Sequence, residues 1–147
     1  MVPLRRYNIT MYSPYFARVR ELSDTRGARL RLGIEHGPYG TRIALEQCDA
    51  SAACVVLDVH GAELLCGFVM AARLAGEDGL ADEHAHGPNA ATFCAVSDKD
   101  ERIEIVQTDG AARVAIPASL WDRFFAELSI VAAHGRALSA PVRATLH

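Results

Sequence analysis

Between Arg102 and Gly135 the spacing of hydrophobic positions switches from period two to helical. Arg102-Ile103-Glu104-Ile105-Val106-Gln107 alternates as a strand does, Thr108-Asp109-Gly110 turns the chain, and Ala112 to Ile116 alternates again until Pro117 stops it. Trp121, Phe124, Phe125, Leu128, Val131 and Ala132 then recur on one helical stripe, with Asp122, Arg123, Glu127 and Ser129 facing away. Ser119 stands where an N-cap belongs, and Gly135 where a glycine ends a helix. Sixty positions earlier the same plan recurs without a gap. Arg42 to Gln47 lies under Arg102 to Gln107, Cys54 and Val56 under Val114 and Ile116, and Leu64, Leu65 and Phe68 under Phe124, Phe125 and Leu128. A fixed offset that preserves apolar positions through strands and helix reads as two copies of one unit.

The remaining segments fit around these two blocks. Tyr7 to Tyr12 alternates as a strand, Ser13-Pro14 breaks it, and Tyr15 to Leu22 suits either a short helix or a strand. Ser23 to Gly27 has the composition of a turn. Arg29 to Glu35 places Leu30, Leu32 and Ile34 on one face and Arg29, Arg31 and Glu35 on the other, so it pairs with Arg42 to Gln47 through a loop at His36 to Gly40. A third strand runs from Cys54 to Leu57, and Asp58 is placed to cap a helix from Val59 to Ala75. From Ala62 onward that helix is apolar on almost every side, charged only at Glu63 and Arg73, which predicts a central position or a subunit interface. Gly76 to Asn89 reads as a linker, and Thr92 to Val96 as the strand that opens the second block.

The expected fold is therefore α+β, with two βββα (or ββββα) units whose antiparallel curved sheets pack against two helices. Residues 1–28 form an N-terminal strand and basic, aromatic segment, 29–76 the first unit, 77–89 the linker, 90–135 the second unit and 136–147 a tail.

Composition narrows the class more than the function. Half of the 147 residues are hydrophobic and about a fifth are charged, an ordinary globular balance. No apolar run reaches the ~18 residues of a membrane span, and Arg5 and Arg6 are not followed by the apolar stretch of a secretory signal. Cys48, Cys54, Cys66 and Cys94 show no Cys-x-x-Cys or Cys/His ligand spacing, which fits a reduced, cytoplasmic protein. The net charge of −3 is unevenly distributed. Residues 1–42 hold eight arginines against Glu21, Asp24 and Glu35, so the acidic excess belongs to the rest of the chain.

No catalytic motif stands out. Asp82-Glu83-His84-Ala85-His86 has metal-ligand residue types, but on a glycine-rich loop with no further ligand positioned it does not meet the required count and geometry. There is neither a Gly-x-Ser-x-Gly elbow nor a phosphate-binding Gly-x-x-x-x-Gly-Lys loop. No catalytic residue, metal or cofactor is expected. The more informative set is basic and aromatic: all four tyrosines, Tyr7, Tyr12, Tyr15 and Tyr39, lie among Arg5, Arg6, Arg18, Arg20, Arg29, Arg31 and Arg42. Arginines neutralise phosphates, and aromatic rings offer faces on which unpaired bases stack. The plainer alternative is that the tyrosines are edge-strand formers and the arginines a solvated face.

A strand, strand, strand, helix order written twice resembles the fold of the Whirly proteins, the PUR-repeat proteins and, as a dimer of single units, the PC4-type transcriptional coactivators. The likeness is closest from Arg102-Ile103-Glu104-Ile105 through Val114-Ala115-Ile116-Pro117-Ala118-Ser119-Leu120-Trp121-Asp122-Arg123-Phe124, where a strand enters a helix carrying an aromatic side chain. The resemblance implies binding of single-stranded DNA or RNA on a curved sheet, with association through the helices. Arg5, Arg6, Tyr7, Tyr12, Arg29, Arg31, Tyr39 and Arg42 are the candidate contacts, and a homo-oligomer through Val59 to Ala75 the expected assembly. Two alternatives stand beside this non-enzymatic reading: a homo-oligomeric interaction module of the same fold that binds no nucleic acid, and a small metal-dependent enzyme of the paired βαβββ kind. An acidic or neutral sheet surface would point to the first of these.

Overall fold

The structure, a computed structural model, describes residues 15–38, 40–110 and 112–139. The fold is α+β, with the order ββββα occurring twice: β1 (Phe16–Ser23), β2 (Arg29–Gly37), β3 (Gly40–Gln47), β4 (Cys54–Asp58) and α1 (Val59–Ala75), then β5 (Glu83–Ala85), β6 (Ala91–Val96), β7 (Arg102–Gln107), β8 (Arg113–Pro117) and α2 (Trp121–Ser139). Each set of four strands forms one antiparallel meander in sequence order. Residues 15–22, left open between helix and strand, are β1 from Phe16 onward. The expected linker contains a short strand, β5, which pairs with β6 from Glu83 opposite Phe93 to Ala85 opposite Ala91. The expected strand at Tyr7 to Tyr12 lies outside the described residues.

Alternation delivers the core. Leu32 and Ile34 of β2 oppose Leu45 and Ile43 of β3, which oppose Val55 and Leu57 of β4, and all of these are buried together with Leu30. In the second sheet Phe93, Ile103, Ile105, Val114 and Ile116 do the same. The correspondence between the halves differs from a gapless one at β4. Val55 and Leu57, not Cys54 and Val56, are the inward partners matching Val114 and Ile116. The loop from Cys48 to Ala53 is one residue longer than that from Thr108 to Ala112, and Ala52 sits in the left-handed region at φ 47°. The slip carries into the helices: Leu65 matches Phe124 as a buried residue, while Leu64 and Phe125 are half-buried.

The helices join the two sheets. α2, which follows the second sheet, lies against β1, β2 and β3 of the first; α1 touches β5 and β6 of the second as well as β3 and β4. Phe68 of α1 meets Phe93 of β6 with ring centroids 5.9 Å apart, and Arg18 of β1 reaches Glu127 of α2 at 3.3 Å. One continuous core results. Two glutamines at corresponding strand ends tie the sheets edge to edge. The Gln107 carboxamide accepts from the Val56 amide at 2.7 Å and donates to its carbonyl at 2.9 Å, while Gln47 accepts from the Ala115 amide at 3.1 Å. A carboxamide matches a peptide group donor for acceptor, so these side chains satisfy edge-strand groups that no strand covers.

Two helix-end expectations change. Ser119 does not cap α2, because a single 3₁₀ turn at Ala118–Leu120 precedes the helix and the Ser119 hydroxyl donates instead to Asp24 Oδ2 at 2.7 Å. Gly135 does not end α2, which continues to Ser139. A Cβ at Gly135 would stand 3.2 Å from Val59 and 3.4 Å from Ile43, so this glycine permits close packing rather than a turn. Asp58 does cap α1, its Oδ1 accepting from the Gly61 amide at 2.7 Å. Asp58→Ala is expected to cost about 1 kcal/mol, the usual loss for an N-cap, measured by urea denaturation; an unchanged midpoint would show the cap to be dispensable. Among the described residues no helix is long and apolar enough to cross a membrane.

Candidate nucleic-acid interface

The strand period that buries Leu30, Leu32 and Ile34 sends Arg29, Arg31 and Glu35 to the opposite face of β2. Register then brings Arg42 of β3 opposite Glu35, and Glu46 of β3 and Glu21 of β1 opposite Arg31. Arg29, Arg31 and Arg42 therefore share one sheet face, as a nucleic-acid surface requires. Arg5, Arg6, Tyr7, Tyr12 and Tyr39 lie outside the described residues. Arg18 and Arg20 belong to another surface, turned toward Glu127 of α2 at 3.3 and 3.9 Å.

Each of the three arginines that share the face is already matched. The Arg29 Nε donates to Glu21 at 2.7 Å, Arg31 to Glu46 at 2.9 Å, and the Arg42 Nε to Glu35 at 2.8 Å. Their side chains are 50%, 23% and 32% exposed, so only Arg29 presents much of its guanidinium to solvent. Such half-exposed pairs contribute roughly 0–1 kcal/mol each to stability. Their larger effect is on the field, because a carboxylate at each cation removes the positive potential that draws in a phosphate backbone. The second sheet repeats the arrangement: Glu104 takes Arg102 at 2.9 Å and Arg113 at 2.7 Å, and Arg102 also meets Asp98 at 2.8 Å.

Among the described residues, Arg26, Lys99 and Arg123 are the arginines and lysines that make no ion pair. Arg26 and Lys99 border an open cleft of about 580 Å³ where the β1–β2 turn approaches the β6–β7 turn, together with Gln47, Asp100, Glu101 and Ser119. The Asp24 carboxylate holds the cleft's first wall, accepting from the Arg26 and Ala28 amides at 2.9 and 2.8 Å as well as from Ser119. The Ser119 hydrogen bond in particular keeps Asp24 below the usual carboxylate range. Sequence reasoning passed over Arg26 and Lys99 because a charged residue in a turn is solvated by default and carries no further signal.

Nucleophilic chemistry finds no support in the thiols. Burial pushes Cys54 up to about 12 and raises Cys48, Cys66 and Cys94 as well, the reverse of what an attacking thiolate needs. His84 is held by Thr92 at 3.0 Å and its ring lies 6.5 Å from that of His86. Among the described residues no group of three or more His, Cys, Asp or Glu is placed to hold a metal ion. The ββββα order also differs from the paired βαβββ order of the metal-dependent alternative.

The surface that sequence reasoning placed only in part is the outer side of the helices. Leu74 is 80% exposed and Ile130 46% exposed, and with Tyr15 they are the large hydrophobic residues left in solvent among the described residues. Apolarity around α1 pointed to Leu74, whereas Ile130 reads as one apolar residue on an otherwise polar face. Comparison with known proteins adds no constraint, since no protein-family model and no curated protein matches this chain.

Proposed function

We propose that this chain is a non-enzymatic interaction module that engages a protein partner through its helix layer, with sheet faces that do not capture nucleic acid. The observation that carries this reading is the division of surface chemistry. The arginines of both sheet faces are matched by Glu21, Glu35, Glu46 and Glu104, while Leu74 and Ile130 stand exposed on the helices. Apolar side chains grouped on neighbouring elements mark a contact surface, whereas ones scattered singly are ordinary. The neutral sheet faces are the feature that separates this reading from single-stranded nucleic-acid binding.

Fluorescence anisotropy with labelled single-stranded DNA and RNA at low salt tests it directly. The expected result is no saturable binding at tens of micromolar protein, because paired arginines do not supply the counterion release that gives basic surfaces a non-specific Kd of roughly 10⁻⁴–10⁻⁶ M. Tight, salt-sensitive binding would overturn the proposal in favour of a nucleic-acid-binding module. Arg26 and Lys99 at the open cleft are the observation favouring that second reading, and binding lost on Arg26→Ala and Lys99→Ala would locate it there.

A further inference from the structure

The helix layer carries a charge pattern suited to a copy of itself. α1 and α2 run antiparallel, as three contacts along their seam require: Glu63 with Arg136 at one end, Cys66 Sγ with Ser129 Oγ at 3.8 Å in the middle, and Arg73 with Asp122 at 2.8 Å at the other end. The four charges thus occupy the corners of a rectangle, with signs that alternate around it. Between them lie Gly67 and Met70 of α1 and Ala126, Ile130 and Ala133 of α2, with Leu74 just beyond Arg73, all exposed except the half-buried Met70.

A twofold axis in the plane of contact can run along the helices or across them. Run along them, it sets Glu63 against the second copy's Arg136 corner and Arg73 against its Asp122 corner. Run across them, it sets Glu63 against the Arg73 corner and Asp122 against the Arg136 corner. Each corner is already paired across the seam, so what a second copy meets is the dipole of each pair. Either way every corner stands over the opposite sign, so these dipoles are self-complementary, as an isologous interface demands. Gly67 adds a separate argument. A Cβ there would meet nothing within 4 Å, so no packing inside the protomer calls for glycine. Alanine would favour the helix by about 1 kcal/mol. A backbone approaching from outside gives glycine at this position a purpose.

We infer that a second copy of this chain packs on the α1–α2 face, forming a twofold homodimer whose centre is the apolar strip and whose margin is the four charged corners. The inference rests on the reading of the chain as an interaction module. The area available is modest. α1, at 17 residues, is about 25 Å long by the usual rise per residue. Two such helices side by side offer a face near the low end of stable interfaces, below ~800 Å² per partner. The dimer is therefore expected in the micromolar range and weakened by salt.

Sedimentation velocity on the full chain, across a micromolar concentration series at low and high salt, reads the association. Wild type is expected to shift from monomer to dimer with rising concentration, and less so at high salt. Leu74→Glu and Gly67→Leu are each expected to weaken dimerisation at least ~tenfold, the factor that about 1.4 kcal/mol produces. Gly67→Leu should keep or raise the thermal midpoint, because a Cβ there meets nothing within 4 Å in the protomer and leucine is the better helix former. That separates lost association from lost folding. A wild-type chain that stays monomeric throughout overturns the second copy as partner and leaves the face to a different protein, as does a dimer indifferent to both substitutions. The oligonucleotide titration independently decides the underlying reading, so the two failures are distinguishable.

Discussion

Trp121→Ala is expected to lower stability by roughly 3–5 kcal/mol, the range for removing a buried large aromatic side chain. Trp121 is buried at the start of α2, where its indole N–H donates to the Ile116 carbonyl at 2.8 Å. It borders a small cavity of about 50 Å³ with Ala72, Leu80, Ala95 and Val96. That cavity matters for the size of the effect. Truncation would leave a further void beside it, so the cost includes a cavity contribution as well as the lost transfer energy. At the low end of a typical net stability of about 5–15 kcal/mol, such a loss leaves a substantial fraction of the variant unfolded. Trp121→Phe, which keeps most of the volume and loses the indole hydrogen bond, should cost distinctly less. Urea denaturation of both variants is the measurement. An unchanged midpoint for Trp121→Ala would mean that the indole contributes nothing to the core.

The burial of Trp121 was legible from its place on the stripe with Phe124 and Leu128, because helical spacing specifies a face without reference to any neighbour. The same holds for the inward residues of β2, β3, β7 and β8. What the sequence concealed depends on partners distant along the chain. Gly135 reads equally as a helix stop or a close approach, and only the positions of Val59 and Ile43 decide between them. The Ser119 hydroxyl is taken by Asp24, 95 positions away, so no local rule could keep it at the helix end. β5 is three residues long, too short for alternation to show. The candidate site suffered most from this limit. Period two placed Arg29 and Arg31 on one face, and strand register adds Arg42 to it. Their neutralisation was invisible until strand register set Glu46 beside Arg31 and Glu35 beside Arg42. A count of arginines in residues 1–42 measures charge along the chain, whereas a ligand meets charge across the sheet.

Register and the crossing of α2 onto the first sheet together predict that the first ββββα segment does not fold alone. A fragment ending at Gly76 keeps β1 to β4 and α1 but loses α2, the element that lies across β1, β2 and β3. Leu22, Leu30, Leu32, Ile34 and Ile43 are buried in the whole chain, and those beneath α2 would face water. Each large apolar side chain returned to solvent forfeits about 1.5–3 kcal/mol, so three or four such losses consume the stability of an ordinary domain. α1 suffers as well. Phe68 loses Phe93, Glu63 loses Arg136, and the Val56 amide and carbonyl lose the Gln107 carboxamide that satisfies them. An unsatisfied edge beside a newly exposed apolar face favours aggregation over a stable monomer. The fragment of residues 1–76 is therefore expected to show poor amide dispersion by NMR and no cooperative thermal transition. The full chain should unfold in one transition, with fluorescence of Trp121 in the second half and far-UV circular dichroism reporting the same midpoint. A fragment that melts cooperatively, or a full chain with two separated transitions, would establish two autonomous units and remove the shared core as the basis of stability.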